Sequence, residues 1–228
     1  MSWLITGSEK TPVDPVFNNV SLLLHGNGTN GSTTITDSSP SPKTVTAVGN
    51  AQISTAQSKF GGASIAFDGN GDNLQVGASS AFNFDNLPFT VETFIYLGAG
   101  FNATGTIFSQ RAGGGPSFRV EPSRAIRAFT GGANLGDDIT SSNALSLETW
   151  THVACTRQNN TFTLWINGVS SGTSATYAGS MPSGVITEIG VRSSVEYLNG
   201  YIDDLRITKG IARYTANFTP PTAPFPDI

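Results

Sequence analysis

A single cysteine, Cys155, excludes an internal disulfide in this chain of 228 residues, and its place in the apolar run "HVACTR" marks it as a small core residue. There are two histidines, His25 and His152. Neither has a Cys or Glu at ligand spacing, which argues against a zinc site, and no nucleophile-elbow sequence accompanies them, which argues against a Ser-His-Asp triad. Both read as satisfied core histidines. Charged residues make up 12% of the chain, about half the usual globular share. With a net charge of −4 and basic residues scattered apart from a loose group at Arg119, Arg124 and Arg127, there is little for a nucleic-acid backbone to act on. No apolar stretch approaches a membrane span, and the N-terminal "MSWLITGSEKTPVDP" lacks the basic and apolar regions of a signal peptide. The expectation is a chain that is not exported by its own sequence and has no membrane partner. Segments of eleven or more residues with helical apolar period are also missing.

What is present is short apolar-polar alternation punctuated by Gly, Asn, Ser and Pro. It predicts strands over 20–25, 44–48, 64–67, 73–76, 89–97, 106–110, 117–121, 125–129, 150–157, 161–166, 188–191 and 200–208. In "TFTLWINGVSSGT", Asn167 and Gly168 supply the two positive φ angles of a type I′ hairpin turn. In "WTHVACTR", alternation puts Trp150, His152, Ala154 and Thr156 on one face and Val153 and Cys155 on the other. The same rule applied to "YIDDLRI" puts Ile202, Asp204 and Arg206 opposite Tyr201, Asp203, Leu205 and Ile207. About a dozen strands predict one all-β domain, a two-sheet antiparallel β-sandwich or jelly roll. The glycines of "LLLHGNGTNGSTTITD" have the spacing of a dinucleotide-binding loop. However, they lead into β-branched residues instead of a helix, and no carboxylate lies near Asn50, so they read as a polar turn between strands.

The two ends differ from the middle. Residues 1–16 form an N-terminal arm, residues 17–215 the sandwich, and 216–228 a Pro-rich C-terminal arm whose "FTPPTAPFPDI" is held to an extended path. Such arms are either disordered or plastered on the surface, or one of them docks on a partner subunit, where Phe218 and Phe225 would find burial.

Four stretches resemble the laminin-G-like, concanavalin A-like lectin/glucanase jelly-roll superfamily, in particular the single-module versions of tailed-phage virion proteins and bacterial surface proteins. They are "VSLLLHGNGTNGSTTITDSSPSPKTVTAVGNAQISTAQSKFGGASIAFDGNGDNLQV", "FNFDNLPFTVETFIYL", "WTHVACTRQNNTFTLWINGV" and "GYIDDLRITKGIARYTANFTPPTAPFP". The resemblance implies a phage virion structural protein without enzymatic activity: a capsid decoration (cement) protein or fibre-associated module. Its partners would be other capsid or fibre subunits in a homo-oligomer. It would sit on the virion surface after assembly in the host cytoplasm. The alternative that the resemblance leaves open is a lectin-like adhesin for host polysaccharide.

Retaining hydrolases of this architecture need two carboxylates about 5 Å apart. The corresponding strand here, "FTVETFIYLG", carries Glu92 alone, flanked on its own face by Thr90, Phe94 and Tyr96, so glycosidase activity is not expected. Glu92 reads as a hydrogen-bonded inner-face polar residue or as a sugar contact. Loop aromatics suited to a glycan are Phe101, Tyr177 and Tyr197, with Trp165 weaker. No cofactor is required. Calcium is the one metal to weigh: "FDGNGDN" resembles the start of a calcium loop but lacks its Gly and its final Glu. The resemblance suggests Asp68, Asp72, Asp203 and Asp204 as ligands, against an Asp/Asn-rich turn capping its own backbone.

Overall fold

The computed structural model describes residues 13–110, 114–129, 138–173, 177, 179–181 and 184–228; most of the expected N-terminal arm, residues 1–12, lies outside them. Fifteen strands in two antiparallel sheets are found among the described residues. The first sheet runs, in spatial order, β13 (Val169–Thr173), β12 (Thr161–Ile166), β11 (Thr151–Gln158), β6 (Phe89–Leu97), β15 (Asn199–Lys209), β4 (Ser64–Asp68) and β3 (Gln52–Ser54). A further strand, β1 (Val20–Leu24), also pairs with β15. The second runs β10 (Ile139–Ala144), β9 (Ala125–Phe129), β8 (Ser117–Val120), β7 (Gly105–Ser109), β14 (Thr187–Ile189), β5 (Asn73–Val76) and β2 (Val45–Val48). The sandwich is that of a concanavalin A-like jelly roll. Among the described residues, no helix is long and apolar enough to cross a membrane.

All twelve expected strands are present. Three others escaped the pattern, β3, β10 and β13, and each is the edge of a sheet. Edge strands carry polar residues that discourage further pairing, so their alternation is weak. β10 is "ITSSNA" and β13 is "VSSGT". At the hairpin, Asn167 and Gly168 take φ of 48° and 77° as expected. The glycine-rich stretch after β1 is a long loop with positive φ at Gly26, Gly28 and Gly31, and no helix follows it.

The main core lies between the sheets, where Val91, Ile95, Val153, Cys155 and Leu164 meet Val76, Ile107, Phe118, Ile126 and Ile189; each such side chain contributes about 1.5–3 kcal/mol by burial. β1, "VSLLL", shows no alternation because both of its faces are covered. Leu22 and Leu24 enter the main core, whereas Val20 and Leu23 join a second cluster with Phe94 and Phe225 on the outer face of the first sheet.

β15 departs from its expected alternation. Ile202, Leu205 and Ile207 all enter the core, because the register with β6 shifts between Asp203 and Arg206 and Asp204 takes φ of 51°. This is a β-bulge. It falls where β15 exchanges one neighbour for another: residues 199–202 pair with β4 and residues 205–208 with β1. The extra residue turns Arg206 to the outer face, opposite Glu92.

That outer face is covered by the chain's own ends. The Phe218 N–H donates to the Gly168 carbonyl at 2.9 Å, and the Asp14 N–H donates to the Ile228 carbonyl at 2.9 Å. The Phe225 N–H donates to Asp204 Oδ2 at 2.6 Å. Tyr214 and Phe218 stack with centroids 3.5 Å apart. Within this chain the C-terminal arm lies on its own sheet, with Phe225 3% exposed.

Candidate functional site

The outer face of the first sheet falls into three zones, set by where the C-terminal arm crosses it. Beneath the arm, β6 brings Glu92 against β11 and β15. Glu92 Oε1 accepts from Arg206 Nε at 2.9 Å; Oε2 accepts from the Tyr214 hydroxyl at 2.5 Å and lies 3.2 Å from His152 Nε2. Arg206 also reaches Asp14 at 3.2 Å, and Arg213 grips the same carboxylate at 2.6 and 3.1 Å. The Phe225 ring lies 3.8 Å from the Arg206 guanidinium, a cation–π contact. Two carboxylates thus face two guanidinium groups, and Glu92 is fully buried. Burial alone would raise the Glu92 carboxyl, but Arg206, His152 and Tyr214 outweigh it and hold it at about 2. An acid ionised at that point has no proton to give at neutral pH, and substrate has no path to it. Sequence reasoning saw one carboxylate here and expected a hydrogen-bonded inner-face polar residue or a sugar contact. The hydrogen bonding is present, but on the outer face of the sheet, where Glu92 is sealed from any sugar and Asp14 stands as a second carboxylate on the far side of Arg206.

The expected loop aromatics do not form a platform. Phe101 is 7% exposed and belongs to the main core, and Tyr177 packs against that core beside Phe162. Tyr197 is half-buried. None of the three lines the open cleft described below. Aromatics in loops at the ends of a sandwich plug the core there, a use the sequence alone does not separate from ligand contact.

The four aspartates do not form one ligand set. Asp72 accepts the Asn50 N–H at 2.5 Å and the Asp68 N–H at 2.8 Å, while Asp68 accepts the Asn70 N–H at 2.7 Å. This is the turn capping its own backbone. At the bulge of β15, Asp203 accepts the Lys59 and Phe60 N–H groups, and Asp204 pairs with His25 Nδ1 at 2.5 Å. Among the described residues, no group of three or more His, Cys, Asp or Glu converges on a point that could hold a metal ion.

Asp203 sets a pH dependence. It is fully buried, its Oδ1 has no partner, and burial pushes its carboxyl up to about 6, with the Asp204 charge acting in the same direction. The folded state therefore holds this proton more tightly than the unfolded chain, whose value is 3.8. Stability gains as pH falls from about 6 towards 4 and loses as pH rises through about 6, by up to about 3 kcal/mol. Asp203→Asn is expected to flatten urea-derived stability between pH 4 and 7. A variant that keeps the wild-type slope would assign it to another group.

Two zones remain open on either side of the arm. On one side is a groove of about 380 Å³ lined by Thr156, Thr163 and Thr173, which pair in register across β11, β12 and β13; residues 214–217 of the arm form a wall. On the other side is a cleft of about 570 Å³ lined by Asn50, Gln52, Asp68, Asp72, Asn199 and Tyr201. Beside it, Tyr201 pairs with Tyr96 across β15 and β6, and Trp150 stands next to Tyr96 at 5.6 Å. All three rings are half-buried. Amides, a carboxylate and an aromatic side chain around one open cavity suit a ligand dense in hydroxyl groups. Sequence reasoning missed Tyr96, Trp150 and Tyr201 as a group. The available signal was Tyr96 and Trp150 on the faces of Glu92 and His152, but Tyr201 joins them only through the bulge of β15, and the group becomes legible only once β6 is known to lie between β11 and β15.

The sequence pattern of the concanavalin A-like lectin/glucanases superfamily matches residues 68–212. Among solved structures, the binding domain of Paraclostridial Mosquitocidal Protein 1 superposes with a TM-score of 0.66 at 16% identity, over 85% of this chain and 49% of that one. The binding domain of botulinum neurotoxin DC, solved with rat synaptotagmin II, gives 0.66 at 15%, over 93% and 50%. Domain 4 of AbnA, a GH43 extracellular arabinanase from Geobacillus stearothermophilus solved with arabinotriose, gives 0.59 at 16%, over 85% and 94%. The chain spans about half the length of the toxin binding domains and nearly all of the arabinanase domain. At these identities the likeness is one of fold. Curated protein sequences yield no match.

Proposed function

The chain belongs to the concanavalin A-like lectin/glucanases superfamily, and from that premise we propose that it is a non-catalytic carbohydrate-recognition module whose site is the cleft between β3, β4 and β15. One observation carries this reading: the open cavity around Tyr201 joins aromatic, amide and carboxylate groups, while the acid-base cluster around Glu92 on the same sheet is closed to solvent. Sugars bind through hydroxyl hydrogen bonds to amides and carboxylates and through stacking of their apolar faces on aromatic rings. The arabinanase domain solved with a trisaccharide is a fold neighbour and supports the same class of ligand.

The test is a glycan array probed with wild type and with Tyr201→Ala. Saturable binding is expected for the wild type, with a loss of at least about tenfold in the variant. Absence of any saturable sugar binding would overturn the reading.

The proposed setting is the exterior of a tailed-phage particle, among capsid or fibre subunits. Its support is the sequence resemblance and a surface that is polar with little charge. Because the C-terminal arm lies on its own sheet, outward recognition fits this chain better than clamping of neighbours through that arm. Imaging of purified particles tests the setting; absence of the chain from virions removes it.

A further inference from the structure

Independently of the carbohydrate reading of the cleft, we infer that a second pocket, where β1 begins and β15 ends, binds a phosphate monoester between Lys43 and Lys209. This pocket, of about 360 Å³, is lined by these two lysines together with Asn18, Asn19, Pro40 and Leu87, among others. Along β15, Lys209 stands roughly 25 Å from Tyr201 at the rise of a strand, so the pocket is separate from the cleft. Among the described residues that line it, the charged ones are both lysines, in a chain whose net charge is −4.

Neither ammonium group is hydrogen-bonded to an acid. Asp37 lies 3.9 Å from Lys43 Nζ, but its oxygens already accept elsewhere: Oδ1 from the Leu23 and Ser39 N–H groups, Oδ2 from the Ser39 hydroxyl and the Lys43 N–H. These bonds fill the acceptor capacity of a carboxylate. Lys43 Nζ donates instead to the Ser41 carbonyl at 2.5 Å and to the Ser39 hydroxyl at 3.3 Å. Lys209 Nζ donates to the Ser80 carbonyl at 2.8 Å and forms no ion pair among the described residues. An ammonium carries three donors, so each lysine is positioned by a backbone carbonyl and still has a donor to give. Burial lowers the Lys43 ammonium below its ordinary value, and Asp37 offsets that only in part; an anion beside it would raise it again.

Two separate point charges suit a tetrahedral oxyanion, whereas a planar carboxylate is matched by the fork of an arginine. A phosphate monoester carries about −1.5 to −2 at neutral pH and so balances both lysines, while a diester carries a single charge. The exposed amides of Asn18 and Asn19 can serve the remaining oxygens, and that of Asn19 is fixed by its bond to the Lys209 carbonyl at 3.1 Å. Leu87, 40% exposed, and Pro40 give the carbon side of an ester an apolar wall. That wall, with a volume in the range of small-molecule sites, favours an ester over the free ion. Such a group is carried by a soluble sugar phosphate or by the headgroup of a phosphorylated lipid.

The full chain would be titrated at constant ionic strength with glucose 6-phosphate and with inorganic phosphate, and sedimented with phosphatidylcholine vesicles with and without phosphatidylinositol 4-phosphate. Saturable binding of at least one ester is expected, tighter than that of inorganic phosphate and weakening as pH falls through about 6, where the monoester gains a proton. Lys209→Gln should weaken it by about tenfold, Lys209→Arg should retain most of it, and Tyr201→Ala should leave it unchanged. A urea midpoint for each variant separates loss of binding from loss of fold. Binding to the phosphorylated vesicles alone assigns the lipid headgroup as the source, and binding to glucose 6-phosphate alone assigns the soluble ester; either supports the site. No saturable binding of either ester, inorganic phosphate bound as tightly as the better ester, unchanged affinity in Lys209→Gln, or an equal loss in Lys59→Gln, which lies outside the pocket, would overturn it.

Discussion

Glu92→Ala is expected to destabilise the fold by about 3–5 kcal/mol, a large share of the roughly 5–15 kcal/mol that holds a domain together. The loss comes less from the missing carboxylate than from what it leaves behind. Arg206 is 5% exposed and would keep only Asp14 as its anionic partner; the half-buried Tyr214 would lose the acceptor of its hydroxyl. Glu92→Gln preserves acceptor and shape while removing the charge, so it should cost roughly half as much. Urea midpoints of the two variants check this, and an unchanged midpoint for Glu92→Ala would show that the cluster is not paired as described. The pH dependence follows in sign. Glu92 is held at about 2, below its ordinary 4.5, so its contribution is present above about 4.5 and is lost as pH falls towards 2. Asp203 acts the other way between 4 and 6, and the two together place the stability maximum near pH 4.

Phe225→Ala is the second large effect, about 3–5 kcal/mol for truncating a buried aromatic side chain. Its ring covers the Arg206 guanidinium and sits 6.3 Å from Phe94 and 6.4 Å from His152. The expected consequence is local as well as global. Without that ring, the C-terminal arm is tied by the Phe218 stack and by hydrogen bonds such as those from the Phe225 N–H to Asp204, from the Ser170 N–H to Asn217 and from the Asp14 N–H to Ile228. Limited proteolysis should then remove the C-terminal residues from the variant well before the sandwich is cut. Resistance equal to wild type, together with an unchanged urea midpoint, would contradict the anchoring role. The same experiment reports on the threonine-lined groove, since residues 214–217 of the arm form its wall.

The all-β class, the positions of twelve strands and the turn at Asn167 and Gly168 were determined by the sequence itself, because alternation and turn chemistry are local properties that a short window contains. So was the isolation of Glu92 on its strand, with Thr90, Phe94 and Tyr96 as same-face neighbours. Tertiary structure alone decided what surrounds that carboxylate: Asp14 and Tyr214 come from opposite ends of the chain, and only closure of the sheet brings them together. It also decided the bulge at Asp203 and Asp204, which no alternation rule reveals because its cause is the exchange of β4 for β1 along β15. The row of Trp150, Tyr96 and Tyr201 belongs to the same category. Trp150 and Tyr96 are readable on the faces of His152 and Glu92, whereas alternation groups Tyr201 with Leu205 and Ile207, which the bulge sends to the opposite face; adjacency across strands is set by long-range pairing, and that pairing is fixed by the packing of the whole sandwich.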